Sequence, residues 1–192
     1  LDARLGGSVE KNSRRAHHFA IIEDKVVVIS GEARTIYFKK NNIFKKKLDQ
    51  IEIANNIQSI LNQNNFTLIG IRDLFEDDGK IYISLLFKSL KGYSINVYRA
   101  DLNFEKLNFN LFFETKEYWP RYNVFSGGRL SAYKGNKVLF TIGYGWIKNA
   151  AQELSSLLGK IISIDKLTSE HKIISIGHRN PQGLSYIKNL DI

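Results

Sequence analysis

The sequence predicts an all-β protein, a partial β-propeller of about three four-stranded antiparallel blades, and three observations carry that expectation. The apolar stretches are short, rich in Ile, Val, Phe and Tyr, and bounded by Gly, Asn or Asp, which is the pattern of strands between turns. Three segments repeat a polar turn, a lysine and an apolar strand: Glu23 to Ser30, Asp77 to Ser84 and Lys134 to Thr141, with Lys25, Lys80 and Lys137 standing 55 and 57 residues apart. A recurring multi-strand unit of this size is a blade signature, and 192 residues hold roughly three and a half such units, below the 4 to 8 that close a ring. A β-sandwich of unrelated hairpins is the alternative.

Each repeated strand is followed by a second: Ala33 to Lys39, Tyr93 to Asp101 and Leu158 to Asp165. One incomplete propeller domain over residues 1–192 follows, with approximate blades at 15–69, 70–125 and 126–192. Such a stack leaves an apolar sheet face bare at each end, because a blade buries both faces only between neighbours. Two regions break the pattern. Lys39 to Lys47 carries five lysines, and with Ile53 to Phe66 it reads as a long solvated connection with one helical turn at Asn56 to Leu61. Trp146 to Leu158 reads as a loop or short helix ending on Gly159.

Composition narrows the function classes. No cysteine is present, so disulfides, thiolate nucleophiles and zinc–cysteine sites are excluded. The formal charge is +9, but Lys outnumbers Arg by 19 to 9 and aromatics seldom interleave with the lysines, which argues against a phosphate-reading surface. No apolar run approaches the roughly 20 residues of a membrane-spanning helix. The chain opens at Leu1 without methionine or a basic-then-apolar leader, which predicts a processed chain or a piece of a longer one.

Among titratable residues, the adjacent His17 and His18 point to opposite sides of a strand, so they read as a solvated or packed pair. His171 sits in a polar hairpin turn, Thr168 to Lys172. Glu76, Asp77 and Asp78 form a turn cluster, suited to turn geometry more than acid catalysis. No Gly-x-Ser-x-Gly elbow is present.

The octet Gly177-His178-Arg179-Asn180-Pro181-Gln182-Gly183-Leu184 is denser in chemistry. Asn180-Pro181 sets an extended or turn backbone, and Arg179 offers a planar fork for an anionic or quinone oxygen. Upstream, Phe125-Ser126-Gly127-Gly128-Arg129-Leu130 places a diglycine and another arginine before the third repeat strand.

With Val138 to Gly143, Ala151 to Leu154 and Leu158 to Ile161 between them, these segments make Gly127 to Leu184 resemble the soluble quinoprotein glucose dehydrogenase and aldose sugar dehydrogenase family, also called the glucose/sorbosone dehydrogenase family. Arg72-Asp73-Leu74 with Asp78 to Tyr82 extends the likeness back to about Gly70. The resemblance implies a six-bladed propeller that uses pyrroloquinoline quinone (PQQ) to oxidise the sugar C1 hydroxyl to a lactone, in the periplasm or outside the cell. It makes Arg179 and Asn180 cofactor contacts, adds Arg129, Tyr144 and Gln182 as pocket residues, and puts the calcium ligands beyond Leu184.

Two departures stand out. The family's general-base histidine falls at Phe125, and the aspartate that orients it falls at Tyr144. Phenylalanine accepts no proton, so the proton released with hydride transfer has no agent there, and no catalytic residue is assigned. The two leading readings are a sugar dehydrogenase impaired at its base and a non-catalytic propeller that binds a sugar or protein partner. A nucleic-acid binder is the third and weakest.

Overall fold

The computed structural model describes residues 17–40, 48–122 and 125–187. The strands are β1 (His17–Ile22), β2 (Lys25–Ser30), β3 (Thr35–Lys40), β4 (Leu48–Asn55), β5 (Thr67–Asp77), β6 (Lys80–Ser89) and β7 (Gly92–Asp101). They continue as β8 (Lys106–Leu107), β9 (Asn110–Glu114), β10 (Gly127–Tyr133), β11 (Lys137–Ile142), β12 (Lys160–Asp165) and β13 (His171–Ser175), and a helix, α1 (Ile57–Gln63), follows β4. Three sheets result, ordered β1-β2-β3-β4-β8, β5-β6-β7-β9 and β10-β11-β12-β13. The partial propeller is therefore present as three consecutive blades.

The repeat is the cause of this regularity. Its three strands are β2, β6 and β11, the second strand of each sheet, and each is entered through a tight turn on polar residues. Asp78 and Gly79 both adopt positive φ, the twist-matched geometry of a two-residue hairpin; the loop before β11, Lys134 to Asn136, is one residue longer and takes positive φ at Lys134 and Gly135. The first strands lie innermost, with β5 flanked by β1 on one side and β10 on the other. Alternation then sends every second side chain into an inter-sheet core. One core packs Ile22, Val27 and Ile29 against Ile71, Ile83 and Phe87; the next packs Tyr82, Ile95 and Val97 against Val138, Phe140 and Ile162.

The expected long connection after Lys39 is shorter than its sequence suggests. β3 extends to Lys40 and residues 48–55 form β4, paired antiparallel with β3 through Tyr37 and Ile51; residues 41–47 lie outside the described set. The helical turn is present as α1. The first sheet also exceeds four strands, because β8 joins β4 in parallel through Ala54–Lys106 and Asn55–Leu107. No helix among the described residues is long and apolar enough to cross a membrane.

The two outer faces differ. On the first sheet, Phe19 and Ile21 are 66% and 72% exposed, aligned across the sheet with Val28 and Val26. That is the expected bare face. On the third sheet the expectation fails on β11, where Leu139 and Thr141 face away from the core yet are buried, and the segment after β13 folds back over Thr141. Thr141 Oγ1 donates to the Pro181 carbonyl at 3.1 Å, and Tyr186 packs edge-on against Tyr133.

Candidate functional site

Three segments meet at one end of the third sheet: residues 125–128 at the entry to β10, the loop from Gly143 to Gly159 between β11 and β12, and the octet after β13. Backbone hydrogen bonds weave them together. Gly143 donates to Ser126, Tyr144 to Arg179, Gly159 to Gly143, and His178 to Gly159, at 3.0–3.2 Å. Gly143 is required by this approach, since a Cβ there would stand 1.7 Å from the Phe125 carbonyl oxygen.

The weave gathers four of the side chains of interest. The Arg179 guanidinium lies 4.5 Å from the Phe125 ring centroid, a cation–π distance. The Phe125 ring is 6.1 Å from Tyr144 and 5.6 Å from Trp146, and Tyr144 and Trp146 are 5.9 Å apart. Asn180 sits beside this cluster, its Oδ1 accepting from the Gly127 amide at 3.3 Å and from the Gln182 side-chain amide at 2.9 Å. Phe125, Tyr144, Arg179 and Asn180 are the residues that the sequence singles out; Trp146 joins them unannounced. Its signal is the dipeptide Gly145-Trp146, an odd place for the bulkiest side chain.

Arg129 takes a different place. Its Nε donates to the Gln182 carbonyl at 2.7 Å, and its Nη1 reaches Asp73 Oδ1 at 3.1 Å and His18 Nδ1 at 3.4 Å. One guanidinium therefore spans β1, β5, β10 and the octet, a clamp across all three blades. Asp73 also accepts from the Leu130 amide at 2.8 Å. His18 Nε2 lies 3.1 Å from the Ile71 carbonyl; because a carbonyl only accepts, that nitrogen carries the proton and Nδ1 faces Arg129 as acceptor. Burial and the Arg129 charge lower the His18 pKa to about 4, and burial raises that of Asp73. The clamp borders a cavity of about 390 Å³ that also meets His17 and Leu184.

Lys160 holds the Gly143–Gly159 loop from beneath. It is fully buried, and its ammonium donates to the carbonyls of Ala150, Ala151 and Leu158 at 2.8, 3.1 and 2.8 Å. Burial lowers its pKa.

The other titratable residues serve structure. His171 is the first residue of β13, just past the turn rather than within it, and packs edge-on against Phe113. Glu76 accepts from the Gly79 amide, and Asp77 pairs with Lys166 at 2.5 Å. Among the described residues no group of three or more His, Cys, Asp or Glu is gathered as a metal site.

A family model described as glucose/sorbosone dehydrogenase matches residues 15–191. The chain belongs to the glucose/sorbosone dehydrogenase family. Solved structures agree on the fold. A glucose dehydrogenase superposes with a TM-score of 0.71 at 16% identity, over 93% of this chain and 60% of that one. The soluble aldose sugar dehydrogenase of Escherichia coli gives 0.65 at 18%, over 92% and 55%. The PQQ-bound aldose sugar dehydrogenase of Streptomyces coelicolor gives 0.57 at 20%, over 90% and 53%. The chain thus spans 53–60% of the length of these relatives. No curated protein sequence matches it. Within this family member, the Phe125 and Tyr144 rings join Trp146 in one aromatic cluster.

Proposed function

We propose that this chain is part of a PQQ-dependent sugar dehydrogenase propeller that keeps cofactor-contacting residues and has lost the base for sugar oxidation. The fit of the quinone rests on two side chains. The Arg179 guanidinium is exposed and makes no ion pair or hydrogen bond among the described residues, and Asn180 keeps its amide nitrogen for a ligand while Oδ1 is engaged. A quinone bound there would accept a hydride from the sugar carbon. Arg179 would then stabilise the negative charge gained on the quinone oxygen, and Asn180 would orient it.

The observation that carries the impaired reading is the Phe125 ring beneath Arg179. It occupies the base position with carbon alone. Its neighbours in the cluster are an indole and a phenol, and neither is the imidazole or carboxylate that usually serves as a general base. The expected outcome is little dye-linked aldose oxidation by the full-length protein with added PQQ and calcium, and a gain of about 10²-fold or more in Phe125→His, since a positioned base contributes about 10² to 10⁴. Robust turnover by the unmodified protein overturns the reading. A periplasmic or secreted location belongs to the same proposal, by kinship with the family.

The second reading, a propeller that binds a sugar without oxidising it, is favoured by the aromatic cluster. Three adjacent rings are a binding surface in search of no proton transfer, and such surfaces hold ligands by contact area.

A further inference from the structure

We infer that Trp146 is the floor of a saccharide subsite whose ligand carries a carboxylate. The inference deepens the sugar-binding reading above and rests on it.

The turn that carries Trp146 is the first observation. Tyr144 and Ile147 close a four-residue turn, with the Ile147 amide donating to the Tyr144 carbonyl at 3.1 Å. Its central residues, Gly145 and Trp146, have φ of 62° and 61°. Turns with positive φ at both centres favour Gly, Asn and Asp. Gly145 meets that demand and packs onto the Trp119 ring, where an added Cβ would lie 3.2–3.4 Å from its atoms. Trp146 does not. A bulky side chain in left-handed backbone costs free energy, and at 60% exposure Trp146 recovers little of it by burial. A strained residue that gains so little for the fold is a feature of ligand sites.

The shape of the cluster selects the ligand. The Phe125, Tyr144 and Trp146 rings are inclined to one another by 32–41°, so they form three facets rather than one plane. A planar aromatic lies flat on only one facet. A pyranose chair is puckered, and its C–H bonds, pointing in several directions, can meet more than one.

The charge selects the substituent. Arg179 flanks the same Phe125 ring as Trp146, at 4.5 Å against 5.6 Å, and has no carboxylate partner among the described residues. A sugar ring seated on Trp146 brings an attached carboxylate within reach of that guanidinium, where a bidentate, charge-assisted pair forms. The chain's charge of +9 adds attraction for an acidic sugar at low ionic strength.

The test is calorimetric titration of the full chain with a glucuronate-terminated disaccharide and with its neutral glucose counterpart. The acidic sugar is expected to bind about tenfold more tightly. Trp146→Gly removes the ring and relieves the backbone, so affinity falls about tenfold or more while the thermal midpoint stays level or rises; Trp146→Phe keeps most of the affinity. Arg179→Gln abolishes the preference, so that the acidic sugar binds no more tightly than the neutral one. The inference is overturned by binding of neither sugar, by equal affinity for both, by a fallen midpoint in Trp146→Gly without loss of affinity, or by a naphthoate that outcompetes the disaccharide. Quinone binding is read separately on the unmodified chain, from the quinone's own absorbance. A chain that takes the quinone but no sugar leaves the assignment of Arg179 and Asn180 standing, and one that takes the sugar but no quinone leaves Trp146 standing.

Discussion

The first and third sheets are built from the same repeat, yet they end differently. On the first, Phe19 and Ile21 of β1 stand open to solvent; on the third, the outward side chains of β11, Leu139 and Thr141, are buried, Thr141 beneath a residue that follows β13. Both sheets alternate apolar residues on both faces, since a blade expects a neighbour on each side. The residues that cover the third, Pro181 to Tyr186, also brace the clamp through Gln182. Covering a blade and assembling the site are thus one event here.

Removing residues 181–192 breaks that link most directly. It uncovers Thr141, takes Tyr186 from Tyr133 and the Gln182 carbonyl from Arg129, so urea denaturation is expected to show a loss of about 3 kcal/mol; an unchanged midpoint would mean that the segment only decorates the sheet.

A change of pH probes the other end of the clamp. His18 titrates near 4 when folded and near 6.5 when unfolded, so the unfolded chain binds the extra proton between those values. Its contribution is whole above pH 6.5 and is lost as the pH falls to about 4, at most about 3 kcal/mol. Asp73, raised by burial, acts oppositely, because its protonated form is favoured in the fold and acid relieves its cost. His18→Gln should therefore flatten or invert the slope of stability between pH 6.5 and 4; an unaltered slope would place the titration elsewhere.

The smallest effect on stability belongs to the open face. Phe19→Ser with Ile21→Ser removes no buried contact of consequence, so stability should hold within about 0.5 kcal/mol while self-association, followed by light scattering against concentration, declines. A large destabilisation would show that something covers this face in solution.

The fold was legible where spacing carried it. Lys25, Lys80 and Lys137 mark the entries of β2, β6 and β11, because a hairpin turn followed by an apolar strand is a local event. β4 escaped notice because Leu48-Asp49-Gln50-Ile51-Glu52-Ile53 is half charged or polar and owes its strand state to pairing with β3. The same limit governs the site. Arg179 and Asn180 stand adjacent in a recognisable octet, whereas the partners of Arg129 lie 56 and 111 residues away, a proximity that topology creates and no local pattern announces. Trp146 is only faintly marked, by the dipeptide Gly145-Trp146, for another reason: its oddity lies in a backbone angle.

Lys160 gives the loop above it a permanence of an unusual sort. Three carbonyl oxygens converge on its ammonium, an arrangement in which other loops use a dissociable cation. This one is tethered by a covalent bond and enters with the chain during synthesis. Neither chelator nor dilution can strip it out, and a reagent that modifies amines reaches it only after the loop has opened. The resistance of Lys160 to such labelling would therefore serve as a clock for how often the scaffold beneath Tyr144 and Trp146 comes apart.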